Sequence, residues 1–162
     1  MAAGVKFTGG GKLLTKLKKM AKNSKKARLT AGFYKNAKYE DGTPVAQVAA
    51  ANNFGTLDSG GFIPPRPFFD DAIRENKDKW AENYGKALKK TDYDVERSSK
   101  LVGEQMRADI IDSINGWTEP PNAKSTVEEK GRDAPLKDTY HMMRSVGYQY
   151  DDESPQYSQG GD

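Results

Sequence analysis

The chain has 162 residues, with 26 Lys and Arg against 23 Asp and Glu, a net charge of +3 and a mean hydropathy of −0.88. At 35% hydrophobic residues it can bury one lean core, so a single domain with an appendage is expected, leaning on subunit contacts for part of its stability. The absence of cysteine excludes disulfides and thiolate chemistry and suits a reducing cytosol, and no apolar run approaches the ~18–20 residues that cross a membrane.

The charge is uneven. No acidic residue precedes Glu40, while Lys6, Lys12, Lys16, Lys18, Lys19 and Lys22 crowd the start; Asp151, Asp152, Glu153 and Asp162 give the other end the opposite sign. No secretory signal is expected, because the short apolar runs near the start are interrupted by lysine.

Residues 1–26 read as a basic arm containing a helix from about Lys12 to Asn23. Leu13, Leu14, Leu17, Met20 and Ala21 fall at helical spacing, with lysines on the other face. Ala27 to Tyr34 alternates Leu29, Ala31 and Phe33 with Thr30, Gly32 and Tyr34, which predicts a strand with one buried face. Asp41-Gly42 marks a turn. Pro44 then opens an alanine-rich helix that Gly55 ends.

A helix from about Phe68 to Lys90 follows, with Phe69, Ile73, Trp80, Tyr84 and Leu88 as its inner row. Asp70 and Asp71 in the first turn and Lys86, Lys89 and Lys90 in the last suit the helix dipole. A second long helix spans about Tyr93 to Ile114. Its inner row is Val102, Met106, Ile110 and Ile114, and Glu96, Lys100, Glu104, Arg107 and Asp109 read as solvated. Beyond Gly116 and Pro120-Pro121, Ser125 or Thr126 can cap a short helix that Gly131 ends. Another short helix follows a cap at Asp138 or Thr139, then a strand over Ser145–Tyr150. Residues 151–162, polar and poor in aliphatics, read as a flexible acidic tail. The expected class is α+β: a small antiparallel or mixed sheet covered by two long helices, with residues 27–150 as one domain.

Catalysis has little to stand on. His141 is the sole histidine, and nothing near it resembles a nucleophile elbow. One histidine and no cysteine make a zinc site untenable. Gly9-Gly10-Gly11-Lys12 lacks the Ser or Thr after lysine that a phosphate loop needs, since Leu13 follows. No cofactor is expected.

Two segments are candidate contact surfaces. In Phe62, Ile63, Pro64, Pro65 and Arg66, proline stiffens a loop that glycines make adaptable and that Phe68 and Phe69 anchor. A plain helix connector competes with this reading. Arg66 is the sole charge between Asp58 and Asp70, so a carboxylate partner within the subunit or across an interface is expected. In Lys16, Lys18, Lys19 and Lys22, the basic face is either a solvated face, a phosphate-binding surface, or a dock for an acidic neighbour.

Four blocks stand in order: VAAANNFGT from Val48, IPPRPFF from Ile63, WTEPPNAKSTVEEKG from Trp117 and PLKDTYHMMRSVGY from Pro135. Together they resemble the tail-completion or neck protein family of tailed bacteriophages, the minor tail protein Z group. Tyr140 stands where that family has glycine and Met142 where it has leucine, so the left-handed backbone that glycine permits is not expected after Thr139. The resemblance implies a non-enzymatic virion protein, assembled in the host cytoplasm. It implies a hexameric ring at the head-proximal end of the tail that meets tail-tube or terminator and head-connector proteins, with genomic DNA passing through its lumen. Another neck station, such as tail terminator or head–tail connector, is the alternative, and a DNA-binding accessory protein a more distant one.

Overall fold

The computed structural model describes residues 10–24, 27–58, 61–131, 135–136 and 140–157. In chain order these form α1 (Gly10–Ser24), β1 (Leu29–Phe33), α2 (Val45–Phe54), β2 (Thr56–Asp58), β3 (Gly61–Ile63), α3 (Phe68–Lys90), α4 (Val95–Gly116), α5 (Lys124–Lys130), α6 (His141–Arg144), β4 (Val146–Tyr150) and β5 (Gln156–Tyr157). The fold is α+β, and both of its sheets are antiparallel. The larger has the order β1-β4-β5, with Leu29 opposite Tyr150 and Phe33 opposite Val146. The smaller is the hairpin β2–β3.

The long helices α3 and α4 form an antiparallel pair, and α4 lies on β1 and β4. Asp92 and Tyr93 take positive φ (55° and 64°) in the connection, which delays α4 to Val95. Asp94 then caps it by accepting from Arg97 N–H at 3.0 Å. The core forms where α2, α3, α4, α6 and β4 meet: Val45, Ala49, Phe68, Ala72, Ile110, Ile114, Met142 and Val146 are buried together. Burial of a side chain such as Phe68 contributes about 1.5–3 kcal/mol. Gly103 lets α4 touch the sheet, since a Cβ there would stand 2.4 Å from Tyr148 Cδ2.

Several expectations change. The inner row of α3 runs through Phe68, Ala72 and Trp80, and Ile73 is 38% exposed. Ala72, not Ile73, joins Phe68 in the buried core cluster. Asp109 is not solvated: its side chain is 15% exposed and accepts a hydrogen bond from Trp80 Nε1 at 2.6 Å. Burying an indole N–H demands such an acceptor. The C-terminal segment is not wholly a tail. Gln156–Tyr157 adds a third strand, and the Tyr157 hydroxyl donates to Asn36 Oδ1 at 2.6 Å while its ring packs edge-on against Tyr34. Tyr140 does adopt the left-handed conformation, at φ 57°. The proposed caps Asp138 and Thr139 lie outside the described residues.

Candidate interaction surface

The segment between α2 and α3 is a hairpin arm held by a buried clamp. Leu57 and Phe62 face each other across β2–β3, so both side chains lie on one face of the ribbon. They are 82% and 68% exposed, and Phe54 at the arm's base is 70% exposed. Gly55 closes the base: at φ 73°, a Cβ there would meet Ile63 O and Pro65 N at 2.9 Å. The three-residue strands cannot order such a ribbon alone. Its anchorage comes from the chain on either side.

Arg66 supplies that anchorage, and it is buried rather than displayed. Its Nε donates to Pro120 O at 3.1 Å, Nη2 to Pro121 O at 3.1 Å and Nη1 to Asn52 Oδ1 at 3.3 Å. Its backbone N–H donates to Asn52 O at 2.7 Å. The guanidinium fork thus reads carbonyl oxygens within the subunit, and the interface role expected for Arg66 gives way to a positioning one. The neighbouring Asn53, also buried, caps α3 from outside: Oδ1 accepts from Phe69 N–H at 3.0 Å and Nδ2 donates to Asp70 Oδ2 at 2.8 Å. Pro67 offers α3 no side-chain cap. Sequence reasoning passed over both asparagines. The available signal was two consecutive poor helix formers ending an alanine-rich helix.

Of the other expected contact residues, Ile63 and Pro64 are half-buried and Pro65 is exposed. Gly60, one of the glycines expected to make this loop adaptable, lies outside the described residues. In α1, Lys18 and Lys22 are exposed, Lys16 pairs with Asp92, and Lys19 belongs to the helix although its side chain lies outside what is described. The structure does not bring the two candidate surfaces together: the arm follows α2, and α1 touches α4.

An open cleft of about 630 Å³ is lined by residues including Tyr39, Asn52, Asn122, Tyr140 and His141. Within it His141 Nε2–H donates to Lys38 O at 3.0 Å, and the ring lies 4.8 Å from that of Tyr39. This histidine is positioned to fasten the connection between β1 and α2 at Lys38 to α6. Among the described residues no group of three His, Asp or Glu is placed to hold a metal ion, and no helix is long and apolar enough to cross a membrane. Compared with protein-family models, curated proteins and solved structures, the chain has no match.

Proposed function

We propose that this chain is a structural virion protein of a tailed bacteriophage. It forms a ring at the head-proximal end of the tail, hexameric to match the tube, and joins the tail to the head connector. One observation carries the reading: three of the four sequence blocks behind the resemblance converge on a single device. Asn52 from the first, Arg66 from the second and Pro120-Pro121 from the third build the clamp. The clamp holds an uncharged apolar face, Leu57 and Phe62, out from the subunit. A rigidly mounted apolar arm serves assembly, because a lone subunit leaves it in water.

The double variant Leu57→Ser, Phe62→Ser separates assembly from folding. Both side chains are exposed, so unfolding of the monomer should change by no more than about 0.5 kcal/mol. Electron microscopy of particles carrying it should show filled heads beside unattached tails. Joined, infectious particles would contradict the proposal.

A further inference from the structure

Helix α1 leaves the leucines of its apolar stripe open. Leu13, Leu14 and Leu17 are 50%, 54% and 41% exposed, while Met20 of the same stripe and Lys16 are half-buried. Lys12, Lys18 and Lys22 are exposed, and the helix contains no acidic residue. Amphipathic helices of this length take most of their stability from a surface that covers the apolar stripe.

The opposite chemistry stands at the start of α4. A groove there is lined by Asp94, Glu96, Glu104, Lys100 and Leu101, the last 50% exposed, with Tyr148 beneath. Lys100 is shared by Glu96 and Glu153 at 2.9 Å each, so one negative charge is left over. Arg107 serves Glu104 at 2.8 Å, and Arg97 also borders the groove. Asp94 has no ion pair among the described residues. Burial raises the Tyr150 pKa and Asp151 and Glu96 add to it; burial raises that of Tyr148 and Glu104 adds to it.

We infer that this acid-rimmed groove receives helix α1 of a second copy of the chain. Charge chooses the occupant: a helix with lysines and no carboxylate meets a groove whose four carboxylates exceed its three cations by one, and its leucines cover Leu101. Within its own subunit α1 touches α4 and pairs Lys16 with Asp92 at an exposed site. Helix-on-groove contacts use different faces of each copy, so they propagate around a ring rather than closing a pair. The inference rests on the assembly reading above and names its interface.

Two complementary variants test it in the full chain. One carries Lys12→Glu, Lys18→Glu and Lys22→Glu, sparing Lys16; the other carries Glu96→Lys and Glu104→Lys. Sedimentation velocity should show wild-type self-association that weakens with salt, and each variant alone associating about tenfold or more weakly. An equimolar mixture should regain the wild-type mass, because acidic helix then meets basic groove and basic helix meets acidic groove. The inference is overturned by a wild type that stays monomeric, by either variant associating as the wild type does, or by a mixture that stays dissociated. It also falls if the lysine variant loses binding to a duplex oligonucleotide while self-association is unchanged, which assigns α1 to DNA. Glutamine at the same positions, which should flatten the salt dependence, replaces any reversal that unfolds by circular dichroism. Restored co-assembly with a chain absent from the tail neck would keep the interface and remove the neck reading; the converse result would do the reverse.

Discussion

Replacing Arg66 with alanine removes, among the described residues, side-chain hydrogen bonds to Pro120 O, Pro121 O and Asn52 Oδ1. Bonds from a charged donor contribute about 1.5–3 kcal/mol each, so the gross loss is about 4.5–9 kcal/mol. Two effects offset it. Pro121 is exposed and Pro120 half-exposed, so their carbonyls regain water, and the variant no longer dehydrates a guanidinium. A net cost of about 3 kcal/mol is expected, leaving part of the roughly 5–15 kcal/mol that holds a domain together. For a chain of this size that corresponds to a thermal midpoint lowered by about 6–12 °C. Arg66→Lys should recover little of it, because one ammonium cannot reproduce the fork. The assay is thermal unfolding by circular dichroism, paired with limited proteolysis across the arm, which should be cut faster in the variant. An Arg66→Ala protein that melts with the wild type and keeps its arm protected would refute the clamp.

Trp80→Ala should cost about 3–5 kcal/mol in urea unfolding, since the indole is buried and its N–H is bonded to Asp109; a smaller cost would place Trp80 outside the core. Gly103→Ala pushes a Cβ to 2.4 Å from the root of the Tyr148 ring and should destabilise by about 1–3 kcal/mol, with Gly103→Val worse; a neutral Gly103→Ala would mean that α4 does not approach β4 so closely. Tyr140→Gly should be neutral or stabilising by up to about 1 kcal/mol, because glycine relieves a left-handed backbone that costs other residues about 1–2 kcal/mol; a clear loss would show that the Tyr140 side chain outweighs the strain.

The long helices were legible because their apolar period repeats over more than twenty residues. Both β1 and β4 were legible as strands from their sequence alternation, whereas their pairing with each other and the burial of β4 on both faces were not. The inner row of α3 is legible from Trp80 onward; at its start Phe68 and Phe69 are equally apolar, and the buried positions are Phe68 and Ala72 rather than Ile73. The arm was legible as a stiff apolar segment but not as a hairpin: three-residue strands carry no periodicity, and their order comes from outside. The clamp joins Arg66 to residues 54 and 55 positions away. No local pattern marks such a contact with carbonyl oxygens so distant in sequence. β5 was hidden in a polar segment because a single ring, Tyr157 against Tyr34, accompanies its pairing with β4. The left-handed φ of Tyr140 departs from the local preference of a non-glycine residue. For α1 the lysines and leucines were plain, but which face turns outward depends on the pairing of Lys16 with Asp92.

The central claim, that this is a ring-forming subunit of a phage neck, is tested most directly by a cryo-EM reconstruction of the head–tail junction in intact particles. The account predicts a closed ring of this chain between tail tube and head connector, with Leu57 and Phe62 covered by protein density. Particles whose junction contains no copy of the chain, or copies with the arm exposed to solvent, would contradict it.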